Sequence, residues 1–168
     1  MYPETLQIRP AAEEDSATVL TFIRELAAYE KLSHEVLATE AMVSEALFGA
    51  RPAAEVLIAE QNGEPVGFAL FFATFSTFLG KAGVYLEDLY VRESARGHGI
   101  GAALMSAVAQ IAVDRNAGRL EWSVLDWNTP SIEFYARLGA QPMSEWTVHR
   151  MTGPALEALA KRSAPIKR

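Results

Sequence analysis

A glycine-rich segment, Arg96-Gly97-His98-Gly99-Ile100-Gly101, restricts the fold of this chain more than any other part of the sequence. It lies between a β-rich run that ends near Val91 and a stretch whose apolar residues recur at helical spacing. Glycines let backbone N–H groups approach a ligand closely, and the N-terminus of the following helix adds partial positive charge. The segment therefore predicts a strand, a loop suited to a pyrophosphate, and a helix.

Other interpretations of this loop compete with the first. Gly97-x-Gly99-x-x-Ala102 also matches the looser dinucleotide-binding pattern, with Glu121 at about the right distance for a ribose contact. However, only 67 residues follow Gly101, which are too few to complete a doubly wound sheet. A P-loop is excluded because the sequence has no Gly-Lys-Ser/Thr. A flexible connection without a ligand remains the simplest alternative.

Length and composition predict one compact domain spanning residues 1–168. Half of the 168 residues are apolar, and a chain of this size buries about 70% of its unfolded surface without needing a disulfide. Because there is no cysteine, thiolate metal sites and a cysteine nucleophile are excluded. The histidines His34 and His149 are isolated, so the sequence predicts no metal site.

The charge distribution limits the partners. Residues 1–149 hold 10 basic and 20 acidic side chains, whereas residues 150–168 hold five basic side chains and only Glu157 as an acid. An acidic body attracts cations and repels nucleic acid. The longest uncharged run, residues 65–80, is short for a membrane span, and the first ten residues lack the pattern of a secretory signal. We therefore expect a cytoplasmic protein with neither a nucleic-acid nor a membrane partner.

The remaining patterns predict alternating strands and helices in the α/β class. Asn62-Gly63 between two β-rich runs is a strong hairpin signal. Strands are expected at residues 6–9, 56–60, 66–75, 84–91, 120–125 and 146–151. Helices are expected at residues 16–29, capped by Asp15 or Ser16, at 39–48 after a Thr39 cap, at 100–116, at 129–138 after Asn128 or Thr129, and from residue 154 onward.

A second motif follows the glycine-rich segment by about 30 residues, with Asn128, Ser131, Tyr135 and Gly139 in the spacing Asn-x-x-Ser-x-x-x-Tyr-x-x-x-Gly. Together the two motifs resemble the GNAT superfamily of acyl-CoA-dependent N-acyltransferases. The segments at residues 8–11, 23–32 and 85–91 resemble its diamine and thialysine N-acetyltransferase branch. The resemblance covers about residues 6–151. It implies a mixed, mostly antiparallel central sheet flanked by helices, followed by a C-terminal helix and a basic tail at 152–168.

The resemblance implies an acetyl-CoA site of three parts. The first is strand backbone for the pantetheine arm, the second is a loop around the pyrophosphate, and the third is the start of the Pro130 helix on the far side of the co-substrate. These parts comprise Leu89, Tyr90 and Val91; Arg96, Gly97, His98, Gly99, Ile100, Gly101 and Ala102; and Asn128 and Ser131. For His98, an exposed loop imidazole is the simpler interpretation.

The resemblance also implies roles in catalysis. An alkylamine with a pKa of about 10.4 must lose a proton before it attacks a thioester, and the departing thiolate must gain one. Because no cysteine can carry the acetyl group, direct transfer in a ternary complex is the simplest route. Tyr135 is the candidate acid, Glu87 the candidate for amine binding and proton relay, and Tyr29 and Glu30 the expected amine contacts.

Each catalytic candidate also has a structural interpretation. Tyr135 lies near a helical repeat with Ile132 and Leu138, which is typical of a packing residue. Glu30 can be a solvated helix-end charge. Glu87 can be an ordinary strand charge, because strand alternation places Glu87 and Asp88 on opposite faces unless a local irregularity intervenes.

These observations predict an N-acetyltransferase that moves an acetyl group from acetyl-CoA to a small primary amine. The polar pair Ser76-Thr77 stands where an acidic residue would help hold a second ammonium, so a thialysine-like or lysine-like amine is favoured over a polyamine. The alternatives are acetylation of a protein N-terminus or lysine, and a noncatalytic acyl-CoA-binding module. The resemblance further implies a homodimer that exchanges C-terminal segments.

Overall fold

The structure, a computed structural model, describes residues 5–164. Its strands are β1 (Leu6–Pro10), β2 (Glu55–Gln61), β3 (Glu64–Ser76), β4 (Lys81–Val91) and β5 (Leu120–Trp122). Its helices are α1 (Ser16–Tyr29), α2 (Glu40–Phe48), α3 (Ile100–Asp114), α4 (Thr129–Arg137) and α5 (Gly153–Ala160). The chain divides into two compact units with the boundary after Ser123, so all strands belong to the first unit and α4 and α5 to the second. The expectation of a single domain stays a prediction.

The sheet of the first unit has the order β1-β2-β3-β4-β5. The first three pairings are antiparallel, and β5 joins β4 in parallel. This arrangement confirms the predicted mixed, mostly antiparallel sheet. The connection from β4 to β5 passes through α3, as a parallel pairing requires a crossover.

Local sequence signals position the ends of several elements. Asn62 and Gly63 both have positive φ, 55° and 81°, which is the backbone of the two-residue turn that matches the twist of a hairpin. The Thr39 side chain accepts a hydrogen bond from the backbone N–H of Met42 and caps α2. Both predictions from sequence are confirmed.

Helices cover both faces of the sheet. The Phe22 ring of α1 stacks on the Phe68 ring of β3 at 5.5 Å between centroids. These two rings belong to a core shared by α1, α2, β2 and β3, which also contains Val19, Leu20, Val43, Leu47, Val56 and Ile58. On the opposite face, α3 contacts β3 and β4 and buries a stripe of Ile100, Leu104, Met105 and Val108.

An ion network anchors the start of α1 to the sheet. Arg9 donates from both terminal nitrogens to the Asp15 carboxylate, at 2.6 and 2.9 Å, and from Nε to Glu60 at 2.9 Å. Asp15 also accepts the backbone N–H of Ala12 at 2.8 Å. Asp15 stands at the N-cap position of α1 but makes no side-chain cap to that helix. Its oxygens are engaged instead by the guanidinium and by the preceding turn.

Two strand predictions are corrected. The expected strand at 120–125 extends only over Leu120–Trp122, because its pairing with β4 stops there. Residues 146–151 form no strand, although the side chains of Trp146 and Val148 alternate and are 72% and 81% exposed. A strand exists only where a neighbour supplies its hydrogen bonds, and the described residues of this chain supply none to this segment. The last four residues of the predicted basic tail lie outside the described residues.

Candidate functional site

The strands β4 and β5 pair over three residues only. Val84, Tyr85 and Leu86 face Leu120, Glu121 and Trp122 in parallel register. Beyond Leu86, no described strand pairs with this edge of β4, whose other edge continues along β3 to Val91. Backbone N–H and C=O groups of residues 87–91 are therefore available on one side. This open half-edge of β4 contains the predicted pantetheine contacts Leu89, Tyr90 and Val91.

A β-bulge lies where the open half-edge begins. Leu70 pairs with Asp88 and Phe71 pairs with Leu86, so Glu87 is an extra residue on β4. Cross-strand partners share a face, and the next pair, Phe68 with Tyr90, packs against Phe22 of α1. The bulge therefore brings Asp88 to the α1 face of the sheet. It is the local irregularity that decides which of the two acidic residues is buried.

Three carboxylates converge at this point. Burial, followed by the nearby charges of Glu87 and Glu30, raises the pKa of Asp88 to about 6. Burial also raises the pKa of Glu30, which follows the last residue of α1. Glu87 is exposed on the bulge. None of the three forms a salt bridge with a basic side chain of residues 5–164, so together they constitute an uncompensated negative site.

Arg96 connects the glycine-rich loop to this site. Its guanidinium carbon lies 4.9 Å from the centroid of the Tyr29 ring and 5.7 Å from that of the Tyr90 ring. Its Nε donates a hydrogen bond to the carbonyl oxygen of Val91 at 2.9 Å. The sequence predicted Arg96 beside a pyrophosphate and Tyr29 beside an amine. The structure brings these two side chains together, which no local sequence pattern indicates.

A second arginine holds the middle of α1 against β4. Arg92, directly after β4, forms an ion pair with Glu25 at 3.2 Å, and its guanidinium lies 4.9 Å from the centroid of the Phe22 ring. It also donates to the carbonyl oxygen of Pro65 at 3.0 Å. Sequence reasoning missed Arg92 and Glu25. The only available signal was a pair of opposite charges at the borders of two apolar segments.

The glycine-rich loop has the backbone that its glycines predict. Gly97 and Gly99 have φ of 81° and 80°, and Gly99 precedes the first residue of α3. Nothing lies within 4 Å of the position that a Cβ on Gly97 would take. The Ile100 side chain is 1% exposed and belongs to the core, so only its backbone is available to a ligand. The exposed His98 ring places Nδ1 3.3 Å from the carbonyl oxygen of Ala95.

In the second unit, the predicted residues build the start of α4. Asn128 is buried at 4% exposure, and its Oδ1 accepts the backbone N–H of Ser131 at 3.4 Å. Pro130 occupies the first turn. The Tyr135 ring lies 5.2 Å from the Phe134 ring between centroids. Asn128 thus acts as a helix cap, and the co-substrate and acid roles of Asn128, Ser131 and Tyr135 stay predictions.

The features of the first unit fit an extended ligand with amide groups and phosphates next to a bound cation. Residues 22–140 match the model of the acetyltransferase (GNAT) family. The chain belongs to the GNAT acetyltransferase family. The protein is therefore an acetyltransferase, and the family confirms the resemblance identified from the two sequence motifs.

Individual relatives of this GNAT protein cover nearly its whole length. A thialysine Nε-acetyltransferase of Bos taurus is 40% identical over 166 residues, which are 92% of this chain and 97% of the relative. An L-ornithine N5-acetyltransferase of Arabidopsis thaliana is 33% identical over 92% of this chain and 88% of its own. An integron cassette protein from the mobile metagenome of V. cholerae has a similar structure, with a TM-score of 0.79 and 28% identity over 95% of this chain and 99% of that one.

The GNAT fold does not place a metal or a membrane segment in the described part of this chain. Residues 5–164 contain no group of three or more histidine, aspartate or glutamate side chains that could hold a metal ion. Among the helices described, none has the length and hydropathy to cross a bilayer. The cytoplasmic location stays a prediction from the sequence.

Proposed function

We propose that this GNAT protein transfers the acetyl group of acetyl-CoA to the primary amine of a small, lysine-like molecule. The observation that carries this proposal is the convergence of Glu30, Glu87 and Asp88 beside the open half-edge of β4. Uncompensated carboxylates attract an ammonium group, and a desolvated one attracts it more strongly than a solvated one does. The acceptor amine is bound here in its protonated form.

The proposed acetyl-CoA site uses the open half-edge of β4 and the glycine-rich loop. Extended backbone with unpaired N–H and C=O groups suits the two amides of the pantetheine arm. Gly97 and Gly99, with positive φ ahead of α3, suit the pyrophosphate, because N–H groups at a helix start can converge on phosphate oxygens. The open space around Gly97 is consistent with this assignment.

Proton transfer decides how the three carboxylates divide their work. Carboxylates that hold an ammonium group also stabilise its charged form, so the amine needs an adjacent base before it can attack. A base works best when its pKa approaches the working pH, and Asp88, at about 6, comes closer to neutrality than an ordinary carboxylate does. We assign Asp88 to the ammonium and to the first proton transfer, and the exposed Glu87 to the relay toward solvent.

Acetyl transfer then follows in one complex. The amine nitrogen attacks the thioester carbonyl carbon, the C–S bond breaks, and the CoA thiolate takes a proton from the Tyr135 hydroxyl. The products are the N-acetylated amine and CoA, and the proton lost by the amine restores Tyr135 through solvent. A cysteine-bound acetyl intermediate is excluded because the sequence contains no cysteine.

The acceptor class is inferred from the relatives and from Ser76. The relatives named above act, by their names, on thialysine and ornithine, which are short amino-acid amines. Ser76 is buried at 6% exposure, and its hydroxyl accepts the backbone N–H of Leu79 at 3.3 Å. It thus completes the turn between β3 and β4 and brings no negative charge for a second ammonium. A lysine-like amine is therefore preferred over spermidine.

A turnover assay with acetyl-CoA across a panel of amines tests this proposal. The panel contains thialysine, lysine, ornithine, spermidine, spermine and a lysine-containing peptide. We expect the highest kcat/KM with an amino-acid amine. A higher value for spermidine would contradict the acceptor class, and a peptide that outperforms every small amine would indicate a protein acetyltransferase. Tight binding of CoA without turnover would indicate a noncatalytic binding module.

We also propose that the working form is a homodimer. The exposed side chains of Trp146 and Val148 alternate along residues 146–151 as in a strand, yet no described strand of the same chain pairs with them. Unpaired edges and exposed apolar rows are commonly covered by a twofold partner. The partner copy would supply the missing hydrogen bonds.

A further inference from the structure

We infer that Arg96 is a positioning residue for the amine acceptor, because it holds the end of α1 that carries Glu30 against the strand that carries Asp88. The inference rests on the proposed function, in which these carboxylates bind the amine. It differs from the expectation drawn from the sequence, which placed Arg96 beside the pyrophosphate of the co-substrate.

Arg96 contacts three structural elements at once. It belongs to the glycine-rich loop, its guanidinium lies over the Tyr29 ring of α1 and the Tyr90 ring of β4, and its Nε bonds to Val91 at the end of β4. A planar guanidinium is suited to stacking on aromatic faces while donating a hydrogen bond in its plane. Lysine has neither the plane nor the fork, so this arrangement is specific to arginine.

The position of Glu30 depends on the last turn of α1. Tyr29 is the final helical residue, and the backbone N–H of Glu30 bonds to the carbonyl oxygen of Leu26 at 2.9 Å. The next turn closes with a bond from the N–H of Leu32 to the carbonyl oxygen of Ala27 at 2.7 Å. Any contact that fixes the Tyr29 ring therefore also fixes where the Glu30 carboxylate lies.

Glu30 and Asp88 would separate if nothing opposed their repulsion. Like charges in a partly desolvated place disfavour each other, and helix ends fray readily. The ion pair of Arg92 with Glu25 and the stack of Phe22 on Phe68 hold α1 one to two turns earlier. Arg96 acts on the last turn itself. Its loss should therefore release Glu30 without unfolding the helix.

Kinetics and co-substrate binding separate the two roles. The test compares Arg96→Met, Arg96→Lys and Tyr29→Leu with Arg24→Met, a matched control because Arg24 lies exposed on α1. We expect Arg96→Met and Tyr29→Leu each to raise the KM for the amine about tenfold, with no further rise in the double variant. The affinity for CoA, measured by calorimetry, should change by less than about threefold. Arg96→Lys should not restore the KM, and Arg24→Met should leave it unchanged.

The opposite pattern overturns the inference. If Arg96→Met weakens CoA binding about tenfold and leaves the KM for the amine unchanged, Arg96 is the phosphate ligand expected from the sequence. If both quantities change, Tyr29→Leu decides, since Tyr29 lies outside the loop: a changed KM supports the inference and an unchanged KM refutes it.

Hydrogen exchange provides a readout that does not depend on activity. We expect the amides of Glu30 and Leu32 to exchange about tenfold faster in Arg96→Met than in wild type, and to be unchanged in Arg24→Met. Equal exchange in all three proteins would refute the positioning role. A wild-type protein that acetylates no amine would contradict the proposed function alone, because the exchange result would still judge the contact between Arg96 and α1.

Discussion

Glu30 at the end of α1 and Asp88 on β4 lie close enough that the charge of Glu30 raises the pKa of Asp88. Burial contributes still more to the same shift. Two acidic groups in this arrangement disfavour the folded protein until a cation arrives between them. The site therefore holds its negative charges in place before the amine binds, and the amine does not have to gather them.

The first prediction concerns Asp88→Asn, which should stabilise the protein and impair it as an enzyme. The pKa of Asp88 in the folded protein, about 6, lies above its ordinary value of 3.8, so its ionisation disfavours folding. This contribution is absent below pH 4, develops as the pH rises to about 6, and persists above it. At neutral pH, Asp88→Asn should raise the free energy of unfolding by as much as about 3 kcal/mol.

The measurement is denaturant unfolding of wild type and Asp88→Asn between pH 4 and pH 8, with the KM for the amine determined in parallel. We expect the KM to increase by at least about tenfold. The control Glu93→Gln removes a charge from an exposed loop residue and should change neither quantity. A variant that is less stable than wild type at pH 7 would show that Asp88 is a structural residue.

The second prediction concerns Asp15, whose pH dependence has the opposite sign. Hydrogen bonds from Arg9 lower the pKa of Asp15 below its ordinary value. Its stabilising contribution is therefore complete above about pH 4 and is lost as the pH falls through the folded pKa. Because Arg9 is 37% exposed, solvent screens the pair, and Asp15→Asn should cost about 1 to 2 kcal/mol at neutral pH.

Thermal unfolding at pH 7 and pH 3 measures the effect of Asp15→Asn. The difference from wild type should be large at pH 7 and small at pH 3. The neighbouring exposed Glu13→Gln serves as the control. An equal difference at both pH values would mean that the carboxylate charge contributes nothing to the network.

The third prediction separates backbone strain from ligand binding at Gly97. Gly97 and Gly63 have the same φ of 81°, and a Cβ on either would meet nothing within 4 Å. Gly97→Ala and Gly63→Ala should therefore lose similar stability, about 1 kcal/mol each. Only Gly97→Ala should weaken CoA binding, by about tenfold, because a methyl group intrudes where phosphate approaches the backbone.

Calorimetric titration with CoA and denaturant unfolding of both alanine variants test this pair. Equal affinity for CoA in the two variants would remove Gly97 from the co-substrate site, whatever their stabilities.

The fourth prediction is that Tyr135→Phe lowers kcat by about 100-fold or more while the affinity for acetyl-CoA changes little. Only the hydroxyl that protonates the thiolate is lost, and the ring next to Phe134 remains. Steady-state kinetics from pH 6 to pH 10 should also show that the basic limb of the kcat profile disappears. A kcat near that of wild type would make Tyr135 a packing residue.

The fifth prediction concerns the dimer. Light scattering at micromolar concentration should give a mass near twice the chain mass of 18.4 kDa. Trp146→Glu and Val148→Glu should each shift the mass toward the monomer, because a charge on an apolar contact opposes its burial. Glu145→Gln, an exposed neighbour, should leave the mass unchanged. A monomer that persists at high concentration of the wild type would refute the dimer.

Signals that act within a few residues predicted the local structure. The Asn62-Gly63 turn, the Thr39 cap and the Asn128 cap each depend on a side chain or a φ value that the residue itself determines. The glycine-rich loop belongs to the same class. Its function was recognised through resemblance, because glycine spacing alone also fits a flexible connection.

The features missed by sequence analysis depend on several segments at once. The bulge at Glu87 exists only in relation to Leu70 and Phe71 of the neighbouring strand, so no pattern within β4 reveals that Asp88 is the buried acid. The contacts of Arg96 join residues separated by up to 67 positions. The strand expected at 146–151 failed for a related reason, since alternation shows the tendency to pair and not the presence of a partner.

The brevity of β5 has a consequence for the protein before it meets its co-substrate. A strand whose backbone groups lack partners is a template on which another chain can add, and natural proteins usually shield such edges. The open half-edge of β4 that suits a pantetheine arm is equally suited to the same edge of a second, unliganded copy. Under the proposed function, CoA shields this edge as well as serving the reaction, and the pool of CoA in a cell helps to keep newly made chains from aggregating.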